Sequence, residues 1–141
     1  MKTLKIYIIT IILAGTSMLC KAQESTITYL DADNFQIRYK SEVFAILLDV
    51  SLKREYRRAH IPGAVLLNKM KKLEAFADTL DREIPIYIYC DGESRSLTVA
   101  EYLQENDFRK LYILRGGMRY WKDAGLPIET KKKFKLSFRK K

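Results

Sequence analysis

The chain has 141 residues, of which 48% are hydrophobic and 30% charged, which suits one domain of ordinary size and excludes a wholly disordered chain. The net charge of +9 is concentrated at the two ends, because residues 1–22 carry three lysines and residues 131–141 carry seven basic residues and no acid. Residues 23–130 therefore come to −1, and a nearly neutral domain gives little support for nucleic-acid binding.

Residues 1–22 have the three-part pattern of a secretory signal. A short basic start precedes an apolar run over residues 6–19, and small side chains follow around Ala22. We predict cleavage after Ala22 and an exported chain, periplasmic or secreted, that starts at Gln23. Lipidation of Cys20 and an uncleaved anchor are weaker alternatives, because a bulky leucine precedes Cys20 and the run is short of the ~18–20 residues that span a bilayer.

The first half of the domain alternates strand and helix patterns. We predict strands over residues 23–30, 43–50 and 65–67. Helices are predicted over residues 31–39, 51–59 and 69–80, with Asp31 as the cap of the first. The nearly continuous apolar run 43–50 is typical of a strand buried on both faces of a parallel sheet.

The second half continues the alternation. A strand over residues 86–90 leads into a helix over 94–106, and a strand over 110–114 leads through a tight turn into a short helix over 118–124. Short connections between alternating elements predict an α/β fold with a mainly parallel central sheet flanked by helices on both faces. We therefore predict one domain over residues 23–130, followed by a basic tail over 131–141.

Cys90 lies where a predicted strand passes into a helix. Ligands of parallel sheets bind beyond the carboxyl ends of the strands, and the N–H groups at a helix start favour a thiolate. Without residues 1–22, Cys90 is the only cysteine of the chain, so no internal disulfide can form. A single thiol in an exported protein is either a reactive group or a buried, inert one.

Three motifs, in order along the chain, resemble those of the single-domain rhodaneses, which are sulfurtransferases. They are residues 47–50 with Glu55 and the 60–64 turn, the loop from Cys90 to Arg95, and residues 114–118 with Trp121. The resemblance implies a rhodanese-like fold and a persulfide on Cys90. This persulfide would take sulfane sulfur from thiosulfate, a persulfide or a polysulfide and pass it to a thiol acceptor or acceptor protein. The resemblance implies no metal and no organic cofactor.

The loop after Cys90 is the predicted binding site for the sulfur donor. Its backbone N–H groups can form an anion-binding nest, and Arg95 would orient an anionic donor or steady the loop. The six residues from Cys90 to Arg95 match the loop length that the resemblance associates with sulfur transfer, whereas related phosphatases have one residue more. The loop residues expected to contribute mainly backbone N–H groups are Asp91, Gly92, Glu93, Ser94 and Ser96.

Two carboxylates in this loop are unusual for the family that it resembles. Asp91 and Glu93 stand near the thiol, and like charges disfavour a thiolate and repel a dianion. We therefore expect a persulfide, polysulfide or protein donor to be used in preference to thiosulfate.

A second set of residues is predicted to shape the fold. The single histidine, His60, stands beside a Pro-Gly turn, where a turn-fixing hydrogen bond is favoured over a role as a catalytic base. The paired glycines after the last strand permit a tight turn. The full predicted structural set is Asp49, His60, Gly63, Gly116, Gly117 and Trp121.

Other functions stay open at this point. A non-catalytic rhodanese-like module would present a protein-binding surface, a phosphatase is disfavoured by loop length, and a disulfide exchanger by the missing resolving cysteine. The tail is a solvated extension or makes weak contact with an anionic membrane surface or an acidic partner, with Phe134, Leu136 and Phe138 as apolar anchors. We expect a monomer.

Overall fold

The computed structural model describes residues 26–130, so the predictions for residues 1–25 and for the 131–141 tail lie outside it. No helix within the described residues has the length and apolar character needed to cross a bilayer. Strands and helices alternate along the chain: β1 Thr26–Leu30, α1 Ala32–Ser41, β2 Ile46–Asp49, α2 Lys53–Arg58, β3 Val65–Leu66, α3 Met70–Ala77, β4 Ile86–Tyr89, α4 Ser94–Glu105, β5 Lys110–Leu114 and α5 Gly117–Asp123.

The five strands of residues 26–130 form one parallel sheet in the order β1-β5-β4-β2-β3. Each strand returns to the sheet through a helix, as parallel pairing requires. The predicted α/β class is confirmed, and the sheet is parallel throughout. All carboxyl ends meet at one edge, and Cys90 follows β4 directly at the middle of that edge.

Helices cover both faces of the sheet, as predicted. The core beneath α1, α2 and α5 contains Phe35, Tyr87 and Trp121, and the core beneath α3 and α4 contains Leu73, Ile88 and Cys90. Successive side chains of a strand point to opposite faces, so β4 sends its two tyrosines into the first core and its two isoleucines into the second. Because both faces are buried, its sequence is an unbroken run of large residues rather than an alternating one.

The amino-terminal part of the predicted 43–50 strand is wrong. Val43 and Phe44 are 88% and 79% exposed and lie in the turn between α1 and β2, which begins only at Ile46. Ala45 N donates to Glu42 O at 3.2 Å within this turn. β-branched and aromatic residues match strand propensity wherever they stand, and propensity alone carries no information on burial.

The other elements agree with the predictions to within a few residues. Asp31 caps α1 as expected, because its carboxylate accepts a hydrogen bond from Asn34 N at 2.9 Å. The helix predicted over 69–80 ends at Ala77, where Thr79 Oγ1 donates to Phe76 O and closes the final turn.

Candidate active site

Cys90 is the first residue of the loop between β4 and α4. Its side chain continues the alternation of β4 and is only 1% exposed, packed in the core beneath α3 and α4. The sulfur lies 3.3 Å from Ser96 Oγ on the first turn of α4. The predicted nucleophile is therefore held inside the loop rather than displayed above it.

Ser96 links the sulfur to the backbone of the loop. Its side chain is fully buried, and Oγ donates to Glu93 O at 2.9 Å. A hydroxyl has one hydrogen, so both contacts form together only when the Cys90 thiol donates to Ser96 Oγ. After deprotonation, the hydroxyl can turn its hydrogen to the sulfur. Ser96 can thus partner both protonation states of Cys90.

The turn before α5 closes directly against the loop. Met118 N donates to Cys90 O at 2.9 Å. Gly117 has a φ of +61°, and a Cβ at this position would overlap the backbone oxygens of Gly92 and Cys90. Only glycine permits both the left-handed backbone and so close an approach. The paired glycines predicted to make a tight turn therefore also contact the loop.

Glu93 adds a side-chain contact between the same two segments. Its Oε2 accepts a hydrogen bond from Gly116 N at 2.8 Å. Asp91 is the second acid of the loop, and its side chain makes no hydrogen bond or ion pair with any residue of the 26–130 range. The two acids, equivalent in the sequence, thus have different surroundings.

Arg95 is anchored by an acid from α2. Its Nη2 lies 2.8 Å from Glu55 Oε2, and the same oxygen accepts a hydrogen bond from Leu52 N at 2.9 Å. Burial acts to raise the pKa of Glu55, but the hydrogen bonds from Leu52 and Arg95 outweigh it and leave the pKa below its ordinary value. Arg95 Nη1 is buried and has no hydrogen-bond partner among the described residues.

Two grooves flank the loop at the carboxyl edge of the sheet. The first, of about 180 Å³, lies on the Arg95 side and combines two cations with a mostly apolar wall; its residues are Val50, Leu67, Asn68, Lys69, Met70, Arg95, Thr98 and Val99. The second, of about 580 Å³, lies on the Glu93 side and is mainly acidic; its residues are Asp31, Ala32, Asp33, Glu93, Arg115, Gly116, Tyr120, Asp123 and Ala124. An anionic ligand is compatible with the first groove and repelled by the second.

Two of the predicted structural residues, His60 and Gly63, lie at the turn that follows α2. His60 is buried, stacks on Tyr56 at 3.9 Å between ring centroids, and its Nδ1 donates to Tyr56 O at 2.8 Å. It also pairs through its backbone with Glu129, and its Nε2 lies 3.4 Å from the Glu129 carboxylate. Gly63 adopts a φ of +82° in the turn after His60. These contacts connect two segments of the chain, and the turn-fixing role of His60 stays a prediction.

Asp49 and Trp121 are also buried. Asp49 Oδ1 accepts from Ser51 N at 2.7 Å at the end of β2, and burial raises the pKa of Asp49 because water no longer solvates its charge. Trp121 is 1% exposed, and its Nε1 donates to Pro127 O at 2.9 Å. Two further loop residues were predicted to bind the donor. Gly92 is half-buried, and Ser94 is exposed.

Two residues of this site had no predicted role in it, although Glu55 belongs to the first of the three motifs. Glu55 anchors Arg95, and Lys69 lines the groove beside it. Both follow strands that end at the edge where Cys90 lies, so their positions along the chain gave a usable signal. Glu55 is one of several charged residues on α2, so its charge did not distinguish it from its neighbours.

Known proteins agree with this architecture. Residues 31–124 match the sequence profile of the rhodanese-like domain. The thiosulfate sulfurtransferase GlpE of Coxiella burnetii is 35% identical over 77 residues, which cover 55% of this chain and 71% of the relative.

Among solved structures, the Alr3790 protein from Anabaena sp. has a TM-score of 0.64 at 26% identity, covering 72% of this chain and 81% of that protein. A protein from Rhodopseudomonas palustris described as a possible tyrosine phosphatase has a TM-score of 0.62 at 27% identity, covering 73% and 85%. From the match over most of its length, the chain belongs to the rhodanese-like domain family.

Proposed function

We propose that this protein is a sulfurtransferase that carries a sulfane sulfur on Cys90. The observation that supports this most is the position of the thiol: it lies at the centre of the carboxyl edge, 3.3 Å from a buried hydroxyl, in a six-residue loop that ends in a cation. The GlpE relatives are thiosulfate sulfurtransferases, which favours the same class of reaction.

The proposed reaction has two displacement steps. The Cys90 thiolate attacks the sulfane sulfur of the donor, a new S–S bond forms, and the donor's S–S bond breaks with its electron pair leaving on the donor remnant, which is sulfite when thiosulfate is used. An acceptor thiolate then attacks the outer sulfur of the Cys90 persulfide. The acceptor leaves as a persulfide and Cys90 returns as a thiolate, so no external oxidant or reductant is needed.

The two grooves favour particular donors. An anionic donor would lie on the Arg95 side, where Nη1 has no hydrogen-bond partner among the described residues and Lys69 adds a second cation. Because Cys90 is 1% exposed, a terminal sulfur on a slender chain reaches it more easily than a bulky group does. Asp91 opposes a dianion such as thiosulfate, so we propose an organic persulfide, which carries one negative charge at its terminal sulfur, as the preferred donor.

We also propose that the protein acts outside the cytoplasm, on the basis of the sequence pattern of residues 1–22. The basic tail would add weak contact with an anionic membrane surface or acidic partner. Cell fractionation with amino-terminal sequencing tests export, and a chain starting at Gln23 is the expected product. Recovery of the full-length chain in the cytoplasm would contradict it.

A turnover screen tests the activity. The purified protein is mixed with thiosulfate, polysulfide or a small organic persulfide and an excess of acceptor thiol, and formation of the acceptor persulfide is followed. We expect turnover with at least one donor and none with Cys90→Ser.

The burial of Cys90 favours one alternative, a non-catalytic rhodanese-like module. That alternative predicts no turnover with any donor and negligible alkylation of the folded protein by iodoacetamide. A phosphatase would instead hydrolyse an aryl phosphate in a Cys90-dependent way.

A further inference from the structure

When Cys90 is a thiol, Glu93 connects the turn before α5 to the sulfur through an unbroken series of hydrogen bonds. Gly116 N donates to the Glu93 carboxylate at 2.8 Å, Ser96 Oγ donates to Glu93 O at 2.9 Å, and Ser96 Oγ lies 3.3 Å from Cys90 Sγ. The side chain and the carbonyl of one residue are thus tied to two different segments. A shift of the Glu93 backbone would move the Ser96 hydroxyl relative to Cys90.

The Glu93 carboxylate bonds to the turn before α5 instead of capping the helix that follows it. Glu93 immediately precedes α4, but its side chain makes no capping bond to that helix. It reaches a turn 23 residues further along the chain. The other contacts between loop and turn, from Gly117 and Met118, hold the first residues of the loop. Glu93 holds its last residue before the helix.

We infer that Glu93 is a positioning residue, which holds the loop so that Ser96 stays within hydrogen-bond distance of Cys90. This inference rests on the proposed function for its catalytic meaning. It reverses the expectation from charge alone, which treats Glu93 as a residue that hinders thiolate formation. Charge predicts that removing the carboxylate speeds the reaction, whereas positioning predicts that it slows the reaction.

Three substitutions at Glu93 separate charge from hydrogen bonding. Glu93→Gln removes the charge and keeps an oxygen that can accept from Gly116 N. Glu93→Ala removes both, and Glu93→Asp keeps the charge on a side chain one methylene shorter, which falls short of Gly116. Asp91→Asn is the matched control, since it removes an equal charge from the same loop without breaking a contact.

Two rates are measured on the full-length protein at fixed pH: sulfur loading of Cys90 from an organic persulfide, and alkylation of Cys90 by iodoacetamide. Because small misplacements of reacting groups cost large factors, we expect Glu93→Ala and Glu93→Asp to slow both rates about tenfold and Glu93→Gln to stay within about threefold of the wild type. Asp91→Asn should speed both rates, because it removes a like charge near the thiol and breaks no contact. Thermal unfolding of each variant shows that it is folded.

Three outcomes would overturn the inference: Glu93→Ala as fast as the wild type or faster, Glu93→Asp equal to the wild type, or Glu93→Gln as slow as Glu93→Ala. If Glu93→Ala does not fold, the Gln and Asp variants carry the test. If the wild type takes sulfur from no donor but is alkylated, the proposed function fails and the alkylation rates decide the role of Glu93. If the wild type is not alkylated either, Cys90 has no reactivity for Glu93 to maintain, and the inference is overturned as well.

Discussion

The two flanks of the Cys90 loop are held by contacts of opposite kind. On one flank, the Arg95 cation is bound to the Glu55 carboxylate and lines a small groove with Lys69. On the other, the Glu93 carboxylate is bound to the backbone N–H of Gly116 and lines a larger acidic groove. The net charge of the loop side chains does not reveal this difference, because the difference depends on the direction in which each charged group points.

The two flanks therefore have different tasks. A carboxylate that accepts a backbone hydrogen bond contributes to shape, while a guanidinium whose side chain is 37% exposed can still bind an anion. We therefore expect changes on the Glu93 flank to affect all donors alike. Changes on the Arg95 flank should affect anionic donors most.

The largest effect is expected at the contact between the loop and the turn. Gly117→Ala would place a Cβ on the backbone oxygens of Gly92 and Cys90 and impose a left-handed backbone on alanine. We expect a loss of about 3 kcal/mol or more in the free energy of unfolding, measured by urea denaturation. Gly125→Ala is the matched control, because Gly125 also has a positive φ, +69°, but open space around it. Equal losses in both variants would show that the contact with the loop contributes nothing.

The next largest effect is expected on the Arg95 flank. Arg95→Ala should lower kcat/KM for thiosulfate about 30-fold, mainly through KM, because it removes the cation that would bind the donor. The kcat/KM for an alkyl persulfide without a charged head group should fall much less. Arg95→Lys keeps the charge and should recover part of the loss. The same loss with both donors would assign Arg95 to loop structure alone.

A smaller effect is expected at Ser96. Ser96→Ala removes the hydroxyl beside the sulfur, so the thiolate loses a donor and alkylation of Cys90 at neutral pH should slow about tenfold. Ser41→Ala is a suitable control, since within residues 26–130 that exposed hydroxyl bonds to the backbone of its own helix, at Arg38 O, and lies in neither groove. Unchanged alkylation of Ser96→Ala would mean that the contact has no part in activating Cys90.

The smallest effect concerns the anchor of Arg95. The pKa of Glu55 lies below its ordinary value, so the ion pair is intact at neutral pH and is lost as the pH falls through that lowered pKa. Glu55→Gln should reduce thiosulfate use about threefold at neutral pH. The difference from the wild type should shrink in acid, where Glu55 itself becomes neutral. A difference that grows in acid would contradict this assignment.

The sequence allowed the fold and the position of Cys90 to be predicted because both follow from local patterns. A buried strand that ends at Cys90 and a helix that starts at Ser94 have clear periodicity, and the parallel order of strands follows from the alternation. The exposed Val43–Phe44 turn was missed because residue type at that point matches a strand.

The contacts around the sulfur could not be predicted in the same way. The Glu93 bond to Gly116 spans 23 residues, and the Arg95 pair with Glu55 spans 40, so both depend on how the loops meet in space. From the sequence, Asp91 and Glu93 are two acids in one loop. In the folded protein, Glu93 accepts a hydrogen bond from the backbone of Gly116. The Asp91 side chain makes no hydrogen bond or ion pair within residues 26–130.

The most direct test of sulfur transfer is the mass of the intact protein after one exposure to a sulfane donor. We expect the mass of the wild type to increase by one sulfur atom with an organic persulfide and to return to its starting value when an acceptor thiol is added. Cys90→Ser should show no increase. No added sulfur with any donor, or the same gain in Cys90→Ser, would contradict a Cys90 persulfide as the intermediate.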